Sequence, residues 1–160
     1  MSINEILGWI AWAILAFVLI LRPLSDLIGA IFLRKLVLKR KEIGIISALF
    51  IIAHTVAVFV VFDLPITAFW SESSWSFSSA FTWGLLSLIV LIPVFLTSNR
   101  FSMLRLKKWW KYIQKLSYLI FIFAGIHIYL VDGKWLYSLV PMGVWLMLFI
   151  VAEIFKNRKV

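Results

Sequence analysis

The chain of 160 residues carries only two histidines, and each lies inside an apolar run: His54 in "IIAHTVAV" and His127 in "AGIHIYL". An ionisable side chain at such depth is costly, faces a bundle interior as a rule, and marks a cofactor, a proton path or a polar packing contact. Twelve residues separate Glu42 from His54, and twelve separate Lys115 from His127, counting from the last charge before each run. With a helical rise of about 1.5 Å per residue, both rings sit roughly 18 Å in from those charges, a little past the middle of a hydrocarbon core about 30 Å thick. Two imidazoles alone leave a zinc or copper ion short of ligands, and neither carboxylate nor cysteine lies at that depth. A haem asks for only two axial ligands, one from each helix, because the porphyrin supplies the other four. Each Nδ1 is expected to donate to the carbonyl four residues back, of Phe50 and Phe123, so that Nε2 faces iron. Small neighbours (Ala53, Ala57, Ala124, Gly125) leave room for a flat ligand, with Phe50, Ala57, Phe123 and Ala124 as expected packing residues. A haem-free scaffold or small transporter, in which the histidines are a packing or proton-relay pair, is the alternative from another class.

The elements that must hold these rings follow from composition. With 64% hydrophobic and 14% charged residues, the chain has too little polar surface to cover a soluble globule. Five apolar stretches, at about 6–21, 43–62, 79–97, 116–131 and 135–152, read as spanning helices once interfacial Trp, Tyr and Ser at their ends are included. Residues 24–38 place Leu24, Leu27, Ile28, Ile31 and Leu38 near one face and predict an amphipathic helix lying on the membrane surface. The fold class is therefore an all-α integral membrane bundle of five transmembrane helices with a short interfacial helix after the first span. It is read as one domain over residues 1–160, without an internal repeat. The first span is expected to stay as a membrane helix rather than a cleavable signal, since Glu5 precedes it and "LRPLSD" follows it. Pro93 and Pro141 are expected to loosen the third and fifth spans, and "DLPITAFWSESSWSFSS" to form an interfacial outer loop.

Absence of cysteine excludes disulfides, iron–sulfur clusters and thiolate chemistry. The net charge of +9 comes from three basic segments: Arg22 to Lys41, Arg100 to Lys115, and Lys156 to Lys159, with Lys134 alone on the other side. By the positive-inside rule the N-terminus is outside and the C-terminus cytoplasmic, in a multi-pass protein of a bacterial cytoplasmic membrane. The same charges suit anionic lipid rather than nucleic acid. Trp109, Trp110 and Gln114, beside Lys111, mark a possible quinol region, although an interfacial aromatic belt explains them as well.

The segment "KRKEIGIISALFIIAHTVAVFVVFD", with a basic pair, an Ile-Gly step and His54 ten residues after Gly44, resembles ferric reductase-like transmembrane proteins. So does "LIPVFLTSNRFSMLRLKKWWKYIQKLSYLIFIFAGIHIYL", with its Leu-Thr-Ser-Asn turn, basic loop, Trp-Lys step and ligand positions 13 residues apart. The resemblance runs from about Gly8 to Trp135, and within that family the chain looks most like the haem-bearing membrane subunits of bacterial periplasmic methionine sulfoxide reductase systems. It implies His54 and His127 as the axial ligands, and so the binders of the iron, of an outer haem b. Two-haem members carry an inner histidine pair as well; Gly44 and Gln114 stand near those positions, so a single haem is expected. The resemblance further implies an electron-transfer subunit of an oxidoreductase system, passing electrons to an outer-face acceptor, either an exported reductase or ferric iron. No Gly-rich dinucleotide fingerprint occurs in the chain, so the electrons are expected from quinol or a separate flavin reductase partner.

Overall fold

A computed structural model describes residues 2–63 and 75–157 and, between these segments, Pro65 and Thr67. Eight helices occupy the described residues, with no strand among them: α1 (Ile3–Ile28), α2 (Ile31–Leu38), α3 (Arg40–Val61), α4 (Ala80–Leu96), α5 (Arg100–Leu106), α6 (Lys108–Lys115), α7 (Ser117–Asp132) and α8 (Trp135–Asn157). By length and composition α1, α3, α8 and the continuous α6–α7 rod can each cross a bilayer. The 17-residue α4, with α5 turning away from it by 87°, makes a fifth candidate crossing if the bent pair is counted as one span. The all-α membrane bundle expected from the sequence is the fold observed. The middle of the outer loop lies outside the described residues, as do Arg158 and Lys159.

The first span is longer than its apolar run. Residues 24–28, expected to open the interfacial helix, instead continue α1 through Pro23, and the chain turns only at Gly29, whose φ of 71° suits a residue without a side chain. A shorter α2 then provides the interfacial element. Helix α1 is the centre of the bundle, contributing Ala11, Trp12, Leu15, Ala16, Val18, Leu19 and Leu21 to the core. It packs on α3 and α8, while α4 packs on α7. Trp12 stacks on Phe121 of α7 with ring centres 4.6 Å apart, joining the two hairpins at mid-depth.

Those hairpins, α1/α3 and α4/α7, form an internal repeat that the sequence reading missed. In the first, the Ser47 hydroxyl donates to the Ala11 carbonyl at 3.0 Å, and His54 Nδ1 meets the Asn4 carbonyl at 2.7 Å. In the second, the Ser87 hydroxyl donates to the Ile120 carbonyl at 3.3 Å, and His127 Nδ1 meets the Ala80 carbonyl at 2.7 Å. Positions 4 and 11 of α1 correspond to 80 and 87 of α4, an offset of 76; positions 47 and 54 of α3 correspond to 120 and 127 of α7, an offset of 73. The serine sits on opposite members of the two hairpins, so the repeat is one of backbone register rather than of residue type.

Candidate cofactor site

Both imidazoles face one cavity of about 380 Å³ between the hairpins, within the range of about 300–1,000 Å³ usual for cofactor and small-molecule pockets. Apart from Leu15 and Phe62, every lining residue has a counterpart at the same two offsets, such as Trp12 with Leu88, Ile51 with Ala124 and Val58 with Val131. The cavity therefore lies between corresponding faces of the two hairpins, as sites built at repeat interfaces of membrane proteins do.

How each ring is held follows from the helix opposite it. Gly8 lies one turn beyond Asn4, and Gly84 one turn beyond Ala80, on the helix face that receives the imidazole. A Cβ at Gly8 would stand 3.2 Å from Nδ1 and Cε1 of His54; one at Gly84 would stand 2.9 Å from Nδ1 and 3.1 Å from Cε1 of His127. Glycine thus lets the ring reach past its own position to a carbonyl in the first turn. A carbonyl only accepts, so Nδ1 carries the proton in both rings and Nε2 keeps its lone pair on the opposite edge. The tautomer is the one expected; its partners are not. Phe50 and Phe123 do not receive these bonds; the rings point across to the carbonyls of Asn4 in α1 and Ala80 in α4 instead.

The packing residues are also partly revised. Ala124 lines the cavity, whereas Phe50, Ala57 and Phe123 do not. Positions three before and one and four after each histidine share its face, while four before and three after rotate away; Phe123 packs against Trp83 at 5.6 Å. The residues missed were Gly8 and Gly84, whose only signal was a glycine near the start of each facing span.

The ring centres of His54 and His127 are 6.3 Å apart, with planes at 70°. Metal–imidazole bonds of about 2 Å, plus about 1.1 Å from nitrogen to ring centre, put two imidazoles on opposite sides of one metal ion at about 6 Å. The spacing thus fits a shared metal, yet among the described residues no cluster of three or more His, Cys, Asp or Glu could hold a bare ion. A porphyrin iron is the metal that two imidazoles can complete. The Oδ1 atom of Asn4 is buried in the cavity wall without a hydrogen-bond partner among the described residues, and a native buried polar atom of that kind calls for a ligand or water group beside it. The residues present therefore fit a mostly apolar cofactor with a polar edge.

Gly44 and Gln114, the inner positions, are not brought together. A Cβ at Gly44 would meet nothing within 4 Å among the described residues, while Gln114 donates to the Val94 carbonyl at 3.2 Å and to the Thr97 hydroxyl at 3.1 Å. Trp110 donates to the Thr97 carbonyl at 2.9 Å, and Trp109 is exposed beside Tyr112. Together with Thr97, Ser98 and Asn99 these side chains satisfy the last carbonyls of α4, which no helix turn follows. Between this cap and the cavity the interior is filled by Leu19, Leu91, Val94 and Ile120.

Residues 7–125 match the family described as ferric reductase like transmembrane component. The chain is 32% identical over 124 residues to the protein-methionine-sulfoxide reductase heme-binding subunit MsrQ of Agrobacterium fabrum, covering 78% of this chain and 55% of that protein. It is 29% identical over 134 residues to the protein of the same name from Brucella anthropi, covering 84% and 59%. The chain thus spans less than two thirds of the length of these relatives. No solved structure matches it. With the family match covering most of the chain, the protein belongs to the ferric reductase-like transmembrane family.

Proposed function

We propose that this protein is a membrane electron carrier holding one haem b between His54 and His127. The observation that carries the reading is the pair of imidazoles 6.3 Å apart, each with its Nδ1 proton bound to a carbonyl of the neighbouring helix. The relatives named as haem-binding subunits support it. The cofactor, when bound, supplies one-electron chemistry. The chain's part is to fix both tautomers, exclude water with the apolar walls around Trp12, Ile51 and Leu88, and hold the rings at a set separation. A single cofactor is favoured because the inner half is filled with aliphatic side chains and Gln114 is engaged in capping α4.

The basic ends of α1, α2, α5 and α6 support an orientation with the N-terminus outside, which puts the histidine pair nearer the outer face, where Glu5 and Asp132 line the cavity. Electrons would then enter from the basic side, from quinol or a separate flavin reductase, and leave to an outer acceptor such as an exported reductase or ferric iron. Since the polar atoms of Trp110 and Gln114 are already bonded, a quinol site there has only Trp109 to offer.

An absorption spectrum of the purified full chain tests the assignment. Dithionite should produce the sharp bands of a six-coordinate b-type haem, and His54→Ala and His127→Ala should each abolish them while leaving a folded helical protein. A colourless, folded wild-type preparation from haem-replete cells would instead favour a packing or proton-relay pair.

A further inference from the structure

The basic end of the bundle holds a second pocket, of about 280 Å³, that the haem reading does not use. It lies between the last turns of α1 and helix α2 and is lined by Arg22, Ser25, Asp26, Arg34 and Val37. Arg22, Ser25 and Asp26 share one face of α1 by their spacing of three and four residues, and the turn at Gly29 folds α2 back so that Arg34 faces them. Arg34 Nη2 would be 3.6 Å from a Cβ at Gly29, so the guanidinium lies over the turn itself.

The hydrogen bonds inside this pocket leave donors over. Asp26 accepts from Arg22 Nε at 2.9 Å, which fixes that guanidinium but does not use its two Nη groups. The Arg34 guanidinium makes no hydrogen bond or ion pair among the described residues, and Ser25, 5% exposed, adds a hydroxyl. Two guanidiniums against one carboxylate leave the pocket a net positive charge. Planar forks of this kind match the paired oxygens of a phosphate group.

We infer that Arg22 and Arg34, with Ser25, bind a phosphate group, and that a lipid headgroup is its source. The level of the pocket favours lipid over a soluble anion. Arg22 directly follows Leu21, the last residue of the apolar run of α1, so the pocket begins where the hydrocarbon ends. Ile31 and Leu38, three residues before and four after Arg34, share its helical face and are 74% and 82% exposed. A phospholipid bound through its phosphate would lay acyl chains along those residues; a free phosphate makes no use of them. Lys35, Lys39, Arg40 and Lys41 add a positive field around the pocket that draws anionic headgroups in particular.

The test uses the detergent-purified full chain, with phosphatidylglycerol, phosphatidylcholine and inorganic phosphate as probes, read by thermal unfolding and by lipid adducts in native mass spectrometry. Phosphatidylglycerol should raise the unfolding temperature at about tenfold lower concentration than phosphatidylcholine. Arg34→Gln and Arg22→Gln should each remove that preference, while Lys39→Gln, which deletes the same charge outside the pocket, should keep most of it. Equal protection by inorganic phosphate, also lost in Arg34→Gln, would uphold the phosphate site but assign it to a soluble anion. If Lys39→Gln costs as much as Arg34→Gln, or no anionic preference exists, the pocket is only part of a diffuse basic surface and the inference fails.

Discussion

In the α1/α3 hairpin the carbonyl that receives an imidazole belongs to Asn4, past Gly8; in α4/α7 it belongs to Ala80, past Gly84. At this end the two hairpins superpose in register and differ mainly in what flanks the cavity, with Glu5 answered by Phe81 and Phe59 by Asp132. At the other end they part company. Helix α1 runs on through Pro23 into the arginine pocket, whereas α4 stops at Leu96 under a cap made by Thr97, Ser98, Asn99, Trp110 and Gln114. A repeat kept at one end and abandoned at the other shows which end is constrained by symmetry of use. Two equal arms suit a ligand gripped from both sides, and the opposite end is free to specialise.

The sharpest way to break the equivalence is to crowd the two rings. Overpacking a filled site costs about 1–3 kcal/mol, which corresponds to a loss of roughly 5- to 150-fold in the population of the correct geometry. Gly84→Ala should lie at the severe end and Gly8→Ala at the mild end, because the added Cβ would be 2.9 Å from the ring in one case and 3.2 Å in the other. Haem-to-protein ratio and the fraction of six-coordinate spectrum would report the difference. Equal effects would mean that the contacts do not decide ring placement.

The inner ends give the next largest effect. Gln114→Leu removes donors from the Val94 carbonyl and the Thr97 hydroxyl, and Trp110→Phe removes the donor to the Thr97 carbonyl. Each should cost about 1 kcal/mol, as the loss of a capping hydrogen bond does. Thermal unfolding should register this, with the spectrum unchanged. A change in spectrum would show that Gln114 communicates with the cofactor and would undo the separation of the two ends.

Asn4 offers a smaller and more diagnostic comparison, since its counterpart is Ala80. Asn4→Ala leaves the backbone carbonyl in place and deletes the orphaned Oδ1. Without cofactor the variant should be as stable as the parent or more so, because an unpaired buried polar atom is unfavourable by about 1–3 kcal/mol. With cofactor it should be the less stable form if Oδ1 or its amide partner meets the cofactor's polar edge. Stability measured in both states gives the sign of each.

Much of this was legible in the sequence, and what was not has a physical cause. His54 and His127 stood out because an imidazole in lipid has no cheap explanation, and equal spacing from a charge fixes depth in any straight helix. Spans were readable because lipid demands long apolar helices. The repeat was hidden because three of its matched pairs, Asn4 with Ala80, Ala11 with Ser87 and Ser47 with Ile120, share no residue type. All four acceptors, of Asn4, Ala80, Ala11 and Ile120, are backbone carbonyls, so the residue type at those positions is little constrained by these bonds. Among the matched pairs lining the cavity, only Gly8 with Gly84, His54 with His127 and Val58 with Val131 keep the residue type. Helix register across space, which sends each Nδ1 to a neighbouring helix rather than back along its own, leaves no mark in a single sequence.

The mid-depth serines supply the smallest effect and the finest test of the repeat. Ser47 donates from α3 to α1 at 3.0 Å and Ser87 from α4 to α7 at 3.3 Å, so the same register is tied by a hydroxyl from the opposite helix of each pair. Hydrogen bonds between membrane helices average about 0.6 kcal/mol. Ser47→Ala and Ser87→Ala should therefore each lower stability by about that amount, Ser47 slightly more because its bond is shorter and its side chain is 1% exposed against 4%. The two sites lie in different hairpins with no shared partner, so the double variant should show the sum. A penalty well above the sum would mean that the hairpins are held in register by each other, through the stacked Trp12 and Phe121, rather than each by its own serine.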